Sequence, residues 1–448
     1  MSTPLDRTDA VHDDYLKLSG LGALLDPVRP FKRYGRVLQL TGTLIEAEGL
    51  QASLGDICTV LPPGNADPIH AEVVGFENKR LKLSPLTPLN GISPGSLVHL
   101  ENRVNTVPVG PALLGRVIDG LGRPMDGKGT LHTEGVYPLA GKTSNPLERP
   151  VIMEELDVGV RCINALLPLG KGQRIGIFAG SGVGKSTLLG MMARYTRASV
   201  NVIGLIGERG REVNEFLEND LGRDGLQHSV VVVATSDQPA TVRMRAAFLA
   251  STIAEYFRDN GQDVLLMMDS VTRFAMAARE IGLAAGEPPT TKGYTPSVFS
   301  QLPQLLERAG NFEQGSITGV YTVLVEGDDM EEPVADALRS ILDGHIVLDR
   351  SLSQSRHFPA IDVLASVSRL TDRLLDPARR ALAARFTEIL ATYRKSEDMI
   401  RIGAYVKGSH PQTDFAVEMI DKLNAFLRQP TEESCSVEEA FASLEQLF

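Results

Sequence analysis

Gln173–Thr187 reads QRIGIFAGSGVGKST, and its physical demands decide how the rest of the chain is read. Ile175–Ala179 is an apolar run of the kind that forms a buried parallel strand. Gly180, Gly182 and Gly184 then loosen the backbone before Lys185, Ser186, Thr187, Leu188 and Leu189 open a helix. Strand, glycine-rich loop and helix N-terminus in that order form a cradle for phosphate. The N–H groups from Gly180 through Ser181, Gly182, Val183 and Gly184 to Thr187 can turn inward, and the helix end adds partial positive charge. Lys185 reaches the terminal phosphates, and the Ser186 hydroxyl suits Mg²⁺. The general pattern G-x-x-x-x-G-K-[ST] begins with glycine where this chain has Ala179, a small side chain that a strand end accommodates.

The 448 residues, 43% of them hydrophobic, suffice for two or three domains with a substantial core. No run of 18 or more uncharged apolar residues occurs, and the start MSTPLDRTDAVHDDY is too acidic for a secretory signal. A cytosolic protein is expected. Cys58, Cys162 and Cys435 lack metal-ligand spacing, as in a reducing compartment. The net charge of −11 argues against a nucleic-acid partner and for protein partners.

Residues 1–30 carry Asp6, Asp9, Asp13 and Asp14 and read as a frayed tail or a short helix that folds on a partner. From Gly35 the period changes to two: Leu38, Leu40 and Leu44 alternate with Gln39, Thr41 and Thr43. Further β-type runs follow at Ile57–Leu61, Ile69–Phe76, Leu81–Leu83 and Leu97–Leu100. Short strands between turns predict a small β-barrel over 31–105. Leu114–Gly129 reads as a glycine-rich link with turn chemistry. Strand-like and helix-like segments then alternate, which predicts an α/β domain with a parallel sheet over 106–368. Its strands are Ile175–Ala179, Val200–Ile206, Val230–Thr235, Val264–Met268, Thr318–Val325 and His345–Leu348, and Ala246, Leu249, Ile253 and Phe257 mark a helix face. Over 369–448 the period is helical, through Leu382, Phe386, Ile389, Leu390 and Tyr393 and then Phe415, Met419, Leu423 and Phe426.

Hydrolysis needs more than a phosphate cradle. Val264–Asp269 is an apolar run that ends in a carboxylate at the sheet's carboxyl edge, where Asp269 can hold Mg²⁺ through water. Glu208 follows the strand Val200–Ile206 and reaches the same edge, where a carboxylate can orient and polarise an attacking water. Arg209 next to it has two readings, a phosphate contact or a local ion network with Arg211 and Glu212. Pro359–Arg369, PAIDVLASVSR, follows the last expected strand. An arginine at that junction can stabilise transition-state charge in an adjacent subunit, although spacing alone does not assign Arg369 that role.

With these residues named, the chain resembles the α/β-subunit family of rotary ATPases and, within it, the ATPases of type III protein export. Pro359–Ser368 meets the family's P-A-[IV]-D-x-x-x-S-x-S signature, and Gly207-Glu208-Arg209 its catalytic-glutamate motif. GSGVGKST at 180–187 matches the export branch, and Asp336–Ile346 resembles another shared block. The resemblance implies a RecA-like nucleotide domain that binds ATP and Mg²⁺. Glu208 becomes the catalytic carboxylate, Lys185 and Arg209 phosphate contacts, Ser186 a Mg²⁺ ligand and Arg369 a finger acting across a subunit boundary. Phe358 stands where the family often has an adenine-packing tyrosine. Ile402–Val417, IGAYVKGSHPQTDFAV, is similar to the G-A-Y-x-x-G block of export ATPases. Tyr34–Leu50 is closer to the flagellar type than to the virulence injectisome.

The implied protein is a homohexameric ATPase at the inner-membrane base of the export apparatus, peripheral to the membrane at most. A stator-like regulator dimer on residues near 1–20, a coiled-coil stalk protein, the export gate, and export chaperones with their substrates are its implied partners. An injectisome ATPase, a non-catalytic ring subunit and a nucleic-acid translocase are the alternatives. Retention of Glu208 opposes the second, and an acidic chain with few aromatics in the barrel opposes the third.

Overall fold

The computed structural model describes residues 32–448 apart from 65, 103–104, 142–144, 326 and 328. The expected regulator-binding segment 1–30 lies outside the described residues. By its contacts the chain divides into one unit ending at Arg103 and a second, Val104–Phe448.

In the first unit, side chains that alternate between an apolar inside and a polar outside close six strands into a barrel. These are β1 (Tyr34–Thr41), β2 (Leu44–Glu48), β3 (Ile57–Leu61), β4 (Ile69–Glu77), β5 (Arg80–Pro85) and β6 (Leu97–Asn102). The order around the barrel is β1-β2-β5-β4-β3-β6, with every described pair antiparallel. Val37, Ile45, Ala47, Val60, Ile69, Val73, Leu83 and Val98 fill the interior. The Leu38/Leu40 alternation does not mark the inner face. A bulge between Val37 and Gln39 shifts the register, so that Val37 points inward and Leu40 is exposed.

The second unit is built on a sheet whose strands run in the order β17-β16-β10-β15-β13-β11-β12-β8. The strands are β8 (Arg116–Asp119), β10 (Arg174–Ala179), β11 (Val200–Ile206), β12 (Ser229–Ala234), β13 (Asp263–Asp269), β15 (Ser316–Leu324), β16 (Gly344–Leu348) and β17 (Ile361–Ser368). β7 (Thr106–Val109) pairs with β9 (Gly135–Pro138), and β14 (Gly310–Asn311) adds an antiparallel step to β15. All six strands expected from the sequence are present, and β8 and β17 correct two expectations. Part of the link Leu114–Gly129 is a parallel edge strand on β12, and most of Pro359–Arg369 is a strand antiparallel to β16. β11 and β12 are buried at every residue, because helices cover both faces of a parallel sheet.

Ala240–Asp259 packs on β11, β12 and β13 through Ala246, Leu249, Ile253 and Phe257. On the other face Leu188, Leu189 and Met192 join a core that continues without a break into the C-terminal helices Pro377–Arg401, Pro411–Leu427 and Val437–Glu445. Phe386, Ile389, Leu390, Met419, Leu423 and Phe426 are buried there, whereas Phe415 is exposed and Ala416 takes the inward position. The caps are local. Asp376 accepts from the Ala378 and Arg379 N–H groups, and Ser436 and Glu439 form a reciprocal capping box.

One buried ion pair ties three segments together. Arg308 donates twice to Glu255, at 2.7 and 2.6 Å, and also to the Leu139 carbonyl at 2.9 Å and the Thr252 hydroxyl at 2.8 Å. Both side chains are only 7% exposed, so removing one partner strands a charge in low dielectric. Glu255→Leu is expected to destabilise the chain by about 3–5 kcal/mol, and Glu255→Leu with Arg308→Met to recover most of that loss. Denaturant unfolding of the two variants checks this.

Candidate active site

Parallel strands bring their carboxyl ends to one edge, and three of them deliver the chemistry. β10 ends at Ala179 and runs into the loop before the helix Lys185–Tyr195; β11 ends at Ile206, two residues before Glu208; β13 ends at Asp269. β15, between β10 and β13, brings Thr322 beneath them. Gly184 adopts φ +92° at the N-cap, and Gly207 adopts φ +70°. A Cβ on Gly207 would also come 2.7 Å from Arg273 Cβ, so the turn that presents Glu208 requires glycine.

Lys185 lies between two carboxylates. Its ammonium donates to Asp269 Oδ1 at 2.5 Å and stands 3.7 Å from Glu208 Oε1. Asp269, 4% exposed, also accepts from the Thr322 hydroxyl at 2.7 Å. Burial alone would lower the Lys185 pKa, but the Asp269 and Glu208 carboxylates outweigh it and hold the lysine above its ordinary value. Burial, followed by the Asp269 charge, pushes Glu208 up to about 7 against the pull of Lys185. Glu208 Oε1 is buried with no hydrogen-bond partner. It is an acceptor already out of water and poised near neutrality, as a group that takes a proton from water must be.

The remaining expected residues sit differently. Gly180 and Val183 are buried, Ser181 and Gly182 form the exposed loop tip, and Ser186 is half-buried at the second helical position. Burial raises the pKa of Asp220 against the lowering influence of the Thr187 hydroxyl. Phe358 is 43% exposed, and its ring edge lies 3.6 Å from where a Cβ on Gly184 would be. An aromatic ring therefore flanks the glycine-rich loop. Arg209 is outside the cluster: its side chain is 78% exposed and donates to Glu212 at 3.1 Å.

Arg369 is at the other end of the sheet. Its N–H donates to the Asp343 carbonyl, its guanidinium to the Arg339 carbonyl, and Asp343 in turn clamps Arg174 at the start of β10. Six residues of β10, roughly 20 Å at 3.3 Å per residue, separate that end from the phosphate loop. Sequence reading missed Arg273, in the first turn after β13, whose Nε is buried without a partner beneath Gly207. An arginine four residues past a strand-ending aspartate was the available signal.

A family model described as "ATP synthase alpha/beta family, nucleotide-binding domain" matches residues 159–368, and one described as "T3SS EscN ATPase C-terminal domain" matches 375–446. The chain is 53% identical to the flagellum-specific ATP synthase of Bacillus subtilis, over 96% of this chain and 99% of that protein. It belongs to the family of flagellum-specific ATP synthases and type 3 secretion ATPases. Within that family it is 51% identical to the Salmonella typhimurium flagellum-specific ATP synthase, over 95% of each chain. It is 49% identical to the type 3 secretion system ATPase of Xanthomonas euvesicatoria, over 91% of this chain and 92% of that one. The assembled ATPase EscN of enteropathogenic E. coli superposes with a TM-score of 0.86 at 46% identity, over 92% of this chain and 99% of that one. Family membership makes the chain an ATPase with a nucleotide-binding domain over 159–368.

The raised Glu208 pKa is also a stability statement. Between the ordinary carboxyl value, 4.5, and about 7 the folded chain holds a proton that the unfolded chain has lost, so stability falls as pH rises through that window. Glu208→Gln is therefore expected to be more stable than the wild type at pH 8 by on the order of 1–3 kcal/mol. The gain should disappear below about pH 4.5. Thermal unfolding across that range provides the measurement.

Proposed function

We propose that this chain hydrolyses ATP at sites shared between neighbours in a homohexameric ring and so energises type III export of flagellar proteins. The observation that carries the reading is the separation of Arg369 from its own phosphate loop by the length of β10, beside a complete Lys185–Glu208–Asp269 cluster. A finger that far from its own loop is suited to the loop of the next subunit. In the proposed reaction Lys185 leaves Asp269 for the β- and γ-phosphates and the loop N–H groups hold them. Glu208 Oε1 accepts the proton of a water whose oxygen bonds to the γ-phosphorus as the bond to the ADP oxygen breaks. Arg369 of the neighbour, with Arg273 from within, balances the charge that spreads over the equatorial oxygens. Phe358 offers its face to the adenine, and Arg209 becomes a phosphate contact only on leaving Glu212.

The residues present fit Mg²⁺. The ion takes hard oxygens, keeps several waters and is held by one or two carboxylates with substrate phosphates; Ser186 and a buried, hydrogen-bonded Asp269 supply that donor set. When bound it would neutralise charge on the β- and γ-oxygens.

The partners follow by analogy. EscN has been seen assembled and in complex with its central stalk EscO, and the second of those structures is 46% identical to this chain with a TM-score of 0.85. We extend that assembly to this protein, and with it a regulator dimer near residues 1–20, export chaperones and the gate. Among the described residues no helix is long and apolar enough to cross a membrane, which is compatible with a place on the cytoplasmic side of the inner membrane.

Two variants that are each inactive alone test the shared site. Arg369→Ala keeps its loop and Lys185→Ala keeps its finger, so a 1:1 mixed ring should regain about one complete site in four. A mixture that assembles but stays inactive would sink the proposal. In the wild type, kcat/KM is expected to rise with pH to a plateau above about 7, because the base must be unprotonated in the free enzyme. Glu208→Gln should abolish both the activity and that limb.

A further inference from the structure

Thr322 is a polar side chain to which the proposed mechanism gives no role, and it stands under the site. β15 reads SITGVYTVL and is buried from Ser316 to Val323; Thr322 itself is 0% exposed. Valine has the same shape and no desolvation cost, so a hydroxyl there must be repaid by its hydrogen bond. It has one proton to give. Asp269 Oδ1 at 2.7 Å takes it in preference to the Met268 carbonyl at 3.3 Å, since an ionised acceptor makes the shorter and stronger bond.

Asp269 Oδ1 thus has two donors of different character. Lys185 reaches it at 2.5 Å on a flexible four-carbon stem and must leave when phosphate enters. Thr322 sits on a central strand flanked by β10 and β13, and its one stiff side-chain torsion keeps the hydroxyl beside Asp269. We infer that Thr322 is the positioning residue of Asp269: its hydroxyl pins Oδ1 after Lys185 has moved to the nucleotide and turns Oδ2 to the hydrated cation. The inference rests on Asp269 serving the cation. Partners of this kind orient a ligand carboxylate, and losing one weakens metal affinity by roughly 10- to 100-fold.

The test is binding of a fluorescent ATP analogue to the full chain, with and without Mg²⁺, for Thr322→Val, Thr322→Ser and Asp269→Asn, alongside thermal unfolding. Thr322→Val should bind the Mg²⁺-free analogue as the wild type does and need roughly tenfold more Mg²⁺ for the metal-dependent gain in affinity. Thr322→Ser, which restores the hydroxyl, should return to the wild-type Mg²⁺ requirement. A valine variant with an unchanged Mg²⁺ requirement overturns the inference. So does one that weakens binding equally with and without Mg²⁺, loses thermal stability and is not rescued by serine, for the role is then structural. If Asp269→Asn itself leaves the Mg²⁺ requirement unaltered, the assignment of Asp269 to the cation has failed, and the role of Thr322 falls with it. If Asp269→Asn shifts it and Thr322→Val does not, only the positioning role is wrong.

Discussion

A buried ammonium between two carboxylates is the interaction on which the site depends. Asp269 and Glu208 both come within 4 Å of the Lys185 ammonium, from three different strand ends, because β10, β15, β13 and β11 are in parallel register. Two negative charges against one positive leave the cluster electrostatically unbalanced. Burial first and then the Asp269 charge push Glu208, whose Oε1 has no hydrogen-bond partner, up to about 7. The lysine is held on a carboxylate, so with the proposed role for Lys185 phosphate binding is an exchange of partners as well as a gain of contacts.

How much of this could be read from the chain follows from where each signal is written. The glycine-rich loop, Glu208 and Asp269 are written as local patterns, an apolar strand that ends at or just before the candidate residue, and all three lie at the carboxyl edge of the sheet. β8 and β17 could not be read that way. Arg116–Asp119 lies among turn residues and earns its place as a strand only through pairing with Val230–Val233. Ile361–Ser368 alternates in burial because it pairs antiparallel at the margin of a parallel sheet, and its motif hid its secondary structure. Arg209 and Arg273 make the same point about direction. One arginine adjoins Glu208 in sequence and turns to solvent; the other is 65 positions away and packs beneath Gly207. Adjacency along a chain says little about where a long side chain points.

The C-terminal helices show a second limit. Their period was plain, but that their core is continuous with that of the nucleotide domain was not. Arg161–Leu166 mediates it: Asn164 donates to the Cys435 carbonyl, and Arg161 reaches Glu433 and the carbonyls of Phe426 and Arg428. Gln429 closes the joint by accepting from the Arg161 N–H and donating to the Gly159 carbonyl, while its own N–H donates to the Phe358 carbonyl. The aromatic beside the glycine-rich loop is thereby tied to the helical region through one backbone bond.

β10 carries the phosphate loop at one end, and at the other the Arg174–Asp343 clamp that seats Arg369. With the proposed role for Arg369, each subunit is a donor at one end and a recipient at the other, and assembly is head-to-tail. An open row of such subunits always leaves one loop without a finger and one finger without a loop. Closure alone removes both vacancies, so the count of working sites equals the count of subunits only in a sealed ring. The enzyme would then register its own completion in the arithmetic of its ends.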